Sequence, residues 1–246
     1  DLDAAEPLPS FVGDEDESAI DADAILPSME GMSILRETEL NDVINDVKHR
    51  SEANGGYITY EELNQILPSN IVVISLNEIG FSQDIDETGM TLEENSALKA
   101  REVWEWLVNR SLLNEVDGVF ADDTGLEIFA LGGLPGVRTA RWAGEDACDV
   151  NNRQKALHEL VGIEKREARF RTVVTLIKGG EMKQVEGVVN GKIAQEEEGE
   201  GGFGYDPVFI PEGYDKTFAS LSAEVKNSIS HRGKAMAALK NIIEGL

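Results

Sequence analysis

Two neighbouring carboxylates, Asp122 and Asp123, are candidates for chemistry in this sequence. They follow a mostly apolar run at residues 116–121, which we interpret as a buried strand, and they precede Thr124-Gly125. Neighbouring side chains of an extended chain point to opposite sides, so at most one of the two faces a given cleft. Because ligands collect at strand ends in open α/β sheets, a metal or acid–base site is one interpretation; an ordinary acidic turn is the other.

A second acidic patch, Asp-Ile-Asp-Glu-Thr-Gly at residues 84–89, also ends in Thr-Gly. Mg²⁺ binds one or two carboxylates together with water and substrate phosphate, so acids from two separate loops could hold one ion. A solvated loop without a ligand is the alternative interpretation.

Basic side chains are scarce, with 22 lysines and arginines against 47 acids and a net charge of −25. Such a chain would bind a polyphosphate only through local basic pockets, and its field disfavours broad coating of nucleic acid. The candidates for such pockets are Lys99, Arg138, Arg141, Lys226, His231 and Arg232. A solvated surface charge is the alternative interpretation of each one taken alone.

A glycine-rich segment at residues 199–207 carries two aromatic side chains, Phe203 and Tyr205, and the acid Asp206. Glycine lets the backbone approach a ligand closely, and an aromatic face can stack on a nucleobase. A long hairpin loop is the alternative interpretation.

The elements that would position these residues alternate between strand and helix from residue 71 onward, which predicts an α/β fold with a mixed central sheet flanked by helices. Thr91 and Glu94 form a capping box that begins a helix of about 18 residues. Ser230 is the predicted cap of the last helix, with His231 and Arg232 in its first turn. A hairpin turn is expected at residues 178–181, and strands at residues 71–76, 116–121, 168–178 and 182–189.

The first 70 residues have a different composition. Residues 1–30 hold ten acids, three prolines and no lysine or arginine, which predicts a disordered tail over residues 1–35. Residues 36–70 are predicted to form two short helices. Within them Gly-Tyr-Ile-Thr-Tyr-Glu-Glu-Leu-Asn-Gln-Ile-Leu-Pro, at residues 56–68, resembles the acidic N-terminal region of bacterial primary sigma factors. An unrelated helical hairpin is the alternative.

The remaining composition suits a cytoplasmic protein. The single cysteine, Cys148, allows no intramolecular disulfide, and no apolar run reaches the roughly 18 residues of a membrane span. We therefore expect a soluble chain without a membrane partner.

Six motifs over residues 71–246 together closely resemble the inosine triphosphate pyrophosphatase (Ham1-like) family. They are, in chain order, Glu87-Thr88-Gly89 with Glu94-Asn95-Ser96-Ala97-Leu98-Lys99-Ala100, Ala121-Asp122-Asp123-Thr124-Gly125-Leu126, Leu131-Gly132-Gly133-Leu134-Pro135-Gly136, Thr139-Ala140-Arg141, Gly201-Gly202-Phe203-Gly204-Tyr205-Asp206-Pro207 and Lys226-Asn227-Ser228-Ile229-Ser230-His231-Arg232.

The resemblance implies hydrolysis of ITP, dITP or XTP to the monophosphate and pyrophosphate, with Mg²⁺ and in a homodimer. It implies that Asp123 is the general base and a Mg²⁺ ligand, that Asp86 or Glu87 completes the ion's protein ligands, and that Asp122 supports them. It also implies that Lys99 and Lys226 neutralise phosphate charge. The nucleotide pocket would then be lined by Thr124, Phe203, Gly204, Tyr205, Asp206, His231 and Arg232.

The chain departs from this family at one motif. Family members open with a strand and a Thr-Gly-Asn-x-x-Lys loop that grips the triphosphate, and this sequence contains no such loop. The expected consequence is a weaker hold on phosphate. The alternative function is therefore a nucleotide-binding pseudoenzyme or a fusion product with little activity.

Overall fold

The computed structural model describes residues 32–37, 71–144 and 147–244. Its helices are α1 (Leu92–Asn109), α2 (Asp149–Glu159), α3 (Ala223–Ile229) and α4 (His231–Glu244). Its strands are β1 (Met32–Glu37), β2 (Ile71–Ser75), β3 (Gly118–Ile128), β4 (Leu134–Gly136), β5 (Glu167–Lys178), β6 (Glu181–Ile193) and β7 (Phe209–Pro211).

One sheet contains all seven of these strands. Six follow one another in the order β2-β1-β3-β5-β6-β7, and β4 pairs with the far end of β3. The predicted α/β fold with a central sheet and flanking helices is confirmed. The predicted mixture of strand directions is not seen, because every strand pair in the described residues is antiparallel.

Strand β1 lies where the sequence predicted the end of the acidic tail and the start of a helix. Its backbone pairs with β2 on one side and with β3 on the other, so strand hydrogen bonds replace helical ones at residues 32–37. The remainder of the predicted tail, most of the first predicted helix, the whole second helix and the sigma-like run of residues 56–68 lie outside the described residues.

The β5–β6 hairpin follows the sequence prediction closely. Its turn is Lys178 to Glu181, which pair with each other, and Gly179 and Gly180 take φ values of 59° and 82°. Positive φ at both central positions matches the twist of the flanking strands, which is why two glycines are used there.

Helices α1 and α4 cover opposite faces of the sheet. Thr91 caps α1 by accepting from the Glu94 amide at 3.1 Å, and the buried side of α1 packs on Val119 and Ala121. Ser230 caps α4 by accepting from the Gly233 amide at 3.0 Å, and its inward residues Met236, Leu239 and Ile243 form a core cluster that includes Phe120, Val174 and Leu176. Odd and even positions of β3 therefore serve different layers.

No described helix combines the length and the apolar character needed to cross a membrane.

Candidate active site

Asp122 and Asp123 lie in the middle of β3, not after its end as the sequence predicted. The strand continues because β3 stays paired with β5 from Gly118 to Ile128, with Asp122 opposite Val174 and Asp123 opposite Val173. The prediction that the two carboxylates face opposite sides is correct. Asp123 contacts residues of α1, whereas Asp122 contacts a residue of α4.

On the α1 side, the Asp123 carboxylate is held at both oxygens. Lys99 Nζ donates to Oδ1 and Asn95 Nδ2 donates to Oδ2, each over 3.2 Å. Asn95 is completely buried, and its own Oδ1 accepts from the Gly89 amide at 2.7 Å. Asn95 thus ties the Thr88-Gly89 loop to the carboxylate.

Glu87 completes this cluster. Lys99 Nζ donates to Glu87 Oε1 at 2.8 Å, so one ammonium bridges two carboxylates. Arg141 reaches the same residue from the Thr139–Arg141 turn, with Nη1 3.1 Å from Oε2 and Nη2 3.2 Å from the Glu87 carbonyl oxygen. Asp86, the alternative ion ligand, has an exposed side chain outside this set of contacts.

The buried charges shift one another's protonation. Burial raises the pKa of Asp123 to about 6, against the lowering effect of Lys99. Burial also opposes the charged forms of the other two groups, but the acids around Lys99 raise its pKa, and Lys99 with Arg141 lowers the pKa of Glu87. At pH 7 the cluster therefore holds two carboxylates and one ammonium, with Asp123 the readiest to accept a proton.

On the α4 side, Asp122 lies 3.5 Å from Arg232 Nε and also accepts from Thr124 Oγ1 at 3.5 Å. Thr124 contacts Thr172 on β5, and Thr172 contacts His231 Nδ1 at 2.6 Å. Asp122 therefore contacts the α4 side directly, and its charge also acts on the Asp123 cluster, where it helps to raise the pKa of Lys99.

The glycine-rich segment brings Phe203 to the same side. The Lys226 ammonium lies 4.7 Å and the Arg232 guanidinium carbon 5.6 Å from the centre of the Phe203 ring. The Asp206 carboxylate accepts from the Phe203 amide at 2.9 Å and forms an ion pair with Lys226. A flat aromatic ring flanked by two cations and an acid is suited to bind a polar heteroaromatic ring.

Two side chains of α2 fix the conformation of this segment at Gly204, where φ is 55°. Asp149 Oδ2 accepts from the Gly204 amide at 2.7 Å, and Arg153 Nη1 donates to the Gly204 carbonyl at 2.9 Å. The neighbouring Tyr205 is buried, and its hydroxyl donates to the Thr139 carbonyl at 3.0 Å. Gly204 and Tyr205 thus hold the segment in place.

Sequence reasoning gave no role to four residues of this arrangement, although Asn95 stands in one of the six motifs: Asn95, Asp149, Arg153 and Thr172. The spacing of four between Asn95 and Lys99 on α1 places both on one helix face and could have identified Asn95. Asp149 and Arg153 share the same spacing on α2. Thr172 lies inside a β-branched strand, and no local pattern distinguishes it.

The oxygen ligands nearest Lys99 are the carboxylates of Glu87 and Asp123. Among the described residues, no three or more acidic, histidine or cysteine side chains form a group that could hold a metal. Two carboxylates suit an ion such as Mg²⁺ that takes its other ligands from water and phosphate.

The chain can be compared with known proteins through sequence and fold. It is 50% identical over 188 residues to the dITP/XTP pyrophosphatase of Bacillus subtilis, an alignment that spans 75% of this chain and 91% of that protein. It is 47% identical over 175 residues to the dITP/XTP pyrophosphatase of Caldanaerobacter subterraneus, spanning 70% and 84%.

Solved structures agree with these relatives. The Staphylococcus aureus Ham1 protein superposes with a TM-score of 0.68 at 40% identity, and a HAM1 protein from Coxiella burnetii does so with 0.68 at 34%. Both superpositions cover 76% of this chain and 93% of the other. A model of the Ham1 family matches residues 59–242. From residue 59 to residue 242, the chain therefore belongs to the Ham1 family.

Proposed function

We propose that the chain hydrolyses non-canonical purine nucleoside triphosphates, such as ITP, dITP and XTP, to the monophosphate and pyrophosphate. The names of the related proteins support this activity. The observation that carries it is the buried Asp123 carboxylate, held by Lys99 and Asn95 beside Glu87. These comparisons favour an active hydrolase over the pseudoenzyme alternative.

Asp123 is the proposed general base. Without a bound ion its pKa of about 6 leaves it ionised at pH 7 and makes it a stronger base than an ordinary aspartate. It takes the proton of a water molecule that attacks a phosphate of the nucleotide. Asn95 and Lys99 orient the carboxylate for this transfer.

Glu87 and Asp123 are the proposed protein ligands of Mg²⁺. Their shared contact with Lys99 shows that both carboxylates reach one point, which favours Glu87 over the exposed Asp86. The bound ion would withdraw negative charge from the phosphate oxygens. Lys99 would then also interact with the phosphate and stabilise the negative charge that develops on it.

The purine is proposed to stack on Phe203. Arg232 and Lys226 supply hydrogen-bond donors beside that ring, which suits the 6-oxo group of hypoxanthine or xanthine. Adenine carries a 6-amino donor, which would face these donors unpaired. Lys226 contacts Asp206 and Phe203, so its position supports a role at the base at least as well as the phosphate role that the resemblance implied.

Three further expectations stay predictions: Mg²⁺ dependence, a homodimer and a cytoplasmic location. The effect of the missing Thr-Gly-Asn-x-x-Lys loop on turnover is also a prediction, and it is measured in the same assay as the activity.

The test is pyrophosphate release by the full chain from dITP and XTP, with dGTP for comparison, in Mg²⁺ and in EDTA. We expect selective release in Mg²⁺, and Asp123→Asn is expected to lower kcat by about 10²–10⁴-fold. Asp117→Asn, an exposed acid just before β3, is the matched control and should be unchanged. Equal rates on all nucleotides, or full activity of Asp123→Asn, would contradict the proposal.

A further inference from the structure

A chain of side-chain hydrogen bonds crosses the sheet on the α4 side. It runs from Asp122 to Thr124 over 3.5 Å, from Thr124 to Thr172 over 2.8 Å, and from Thr172 to His231 Nδ1 over 2.6 Å. We call these residues the hydroxyl chain. Thr172 is completely buried, so bulk water cannot replace its partners.

The contact of Thr124 with Asp122 sets a direction for every bond in the hydroxyl chain. A carboxylate only accepts, so Thr124 donates its single hydroxyl proton to Asp122. Thr124 must then accept from Thr172, which uses the only proton of Thr172. In this arrangement Thr172 has only lone pairs left for His231, so Nδ1 carries the proton.

The other nitrogen of His231 is then a hydrogen-bond acceptor, provided that the ring is neutral. Burial, with the positive charges of Arg232, Lys226 and Lys234, lowers the pKa of His231 well below its usual value. The ring is also fixed in orientation, because it stacks on Phe170 with centroids 4.8 Å apart and planes at 21°.

His231 Nε2 has no partner among the described residues, where every fully buried side-chain nitrogen and oxygen does have one. His231 is 8% exposed, and Nε2 is the ring nitrogen left to accept a hydrogen bond from a ligand. Nε2 belongs to the residue next to Arg232, whose guanidinium lies over Phe203.

We propose that the hydroxyl chain fixes His231 as the Nδ1–H tautomer, so that Nε2 accepts the N1–H of a 6-oxo purine. Asp122, Thr124 and Thr172 are thus positioning residues for base selection. Adenine has a bare N1, and two lone pairs would face each other. Guanine shares the N1–H, so its exclusion must come from another contact. The choice of ligand rests on the proposed function, whereas the tautomer does not.

The tautomer is read from nitrogen-15 spectra of the full chain labelled at histidine, with His231→Gln to assign the signals of the three histidines. The expected wild-type state is Nδ1 protonated and Nε2 bare. In Thr124→Val the Thr172 proton loses its acceptor and turns to Nδ1, so the ring proton moves to Nε2. Thr124→Ser keeps the hydroxyl and should keep the wild-type tautomer. Should Thr124→Val not fold, Thr172→Val replaces it, and the expected result is a mixture of tautomers.

The kinetic readout is the ratio of kcat/KM for dITP to that for dATP. We expect Thr124→Val to lower this ratio roughly tenfold, mainly through KM, since about one hydrogen bond is lost. Thr124→Ser should restore it. A merely structural role would lower kcat for both nucleotides together and leave the tautomer unchanged.

Binding is followed separately, by adding dITP or dATP in EDTA and recording the His231 signals. A shift of Nε2 with dITP only supports the proposal, and this result needs no turnover, so it is distinct from failure of the proposed hydrolysis. A protonated Nε2 in the wild type, an unchanged tautomer in the folded valine variant, or equal shifts with both nucleotides would overturn it.

Discussion

The two faces of β3 hold polar sites of different kinds. On the α1 face, Asp123 belongs to a cluster of charges in which Lys99 bridges it to Glu87. On the α4 face, Asp122 is joined to a neutral imidazole through two hydroxyls. One strand therefore places a cluster of charges and a chain of hydrogen-bonded side chains one residue apart, because its side chains alternate.

The difference indicates that variants on the α1 face should change turnover and those on the α4 face should change binding and selectivity. Two lysines give the largest test of this contrast, since Lys99 lies on one face and Lys226 on the other. Lys99→Gln leaves the buried Asp123 and the half-buried Glu87 carboxylates without their ammonium, which raises the pKa of Asp123 further and protonates the base. We expect kcat at pH 7 to fall about 100-fold or more. Lys226→Gln should instead raise KM, as steady-state kinetics on dITP will measure.

A fall of kcat in both lysine variants to the same extent would contradict the separation of the two faces. The pH profile sharpens the test, because Lys99→Gln should recover part of its activity as pH rises and Asp123 ionises again. Lys183→Gln, at an exposed position on β6, is the control for loss of a positive charge.

Gly187 tests how α4 is held on its face of the sheet. A Cβ at this position would overlap the His231 carbonyl oxygen and the Ala235 amide nitrogen, both of which are backbone atoms. Gly187→Ala should therefore lower the free energy of unfolding by about 3 kcal/mol, measured by urea denaturation.

If the α4 face serves binding and the α1 face serves turnover, the Gly187→Ala protein that remains folded should show a larger rise in KM for dITP than fall in kcat. Lys183→Ala on the same strand should change stability by less than about 0.5 kcal/mol. A Gly187→Ala protein as stable as the wild type would show that α4 does not approach β6 this closely.

His231 gives the α4 face a pH dependence of its own. Its pKa is lowered in the folded state, so its contribution to stability is present above pH 6.5, the usual value, and is lost as pH falls below it. We expect the free energy of unfolding to fall by up to about 1.4 kcal/mol per pH unit relative to His231→Phe. Urea denaturation at several pH values between about 5 and 8, on both sides of the usual histidine pKa, measures this difference.

The matched variant for this measurement is His158→Phe, since His158 is exposed on α2. It shows how much of the change comes from replacing any histidine by phenylalanine. Identical slopes for the wild type and His231→Phe would mean that His231 titrates normally in the fold.

The smallest expected effect comes from α2, which holds the glycine-rich segment through Asp149 and Arg153. Arg153→Ala removes the donor to the Gly204 carbonyl and the ion pair with Glu197. We expect KM for dITP to rise roughly threefold to tenfold with kcat unchanged, in line with the loss of one hydrogen bond. His158→Ala on the same helix should not change KM, and a fall of kcat without a change of KM would contradict the assignment.

Local patterns predicted the elements well and the contacts between them less well. The capping residues Thr91 and Ser230 and the turn at Gly179-Gly180 follow from chemistry within a few residues, and all three lie where expected. The polar residues of β3 have the local propensity of a turn. They form a strand because β5 pairs with them from Gly118 to Ile128, and local propensity does not contain that pairing. Asp122 contacts Arg232, which lies 110 positions further along the chain, and Thr172 contacts His231, which lies 59 positions further. No local sequence pattern contains either pair.

The hairpin of β5 and β6 also has a consequence for the order of folding. Its turn brings Thr172 opposite Gly187, and contacts so near in sequence close faster than distant ones. The docking place for α4 can thus be complete before β3 and α4 reach it. We expect His231 to acquire its partner late in folding, so that nucleotide selectivity appears only with the last steps of assembly.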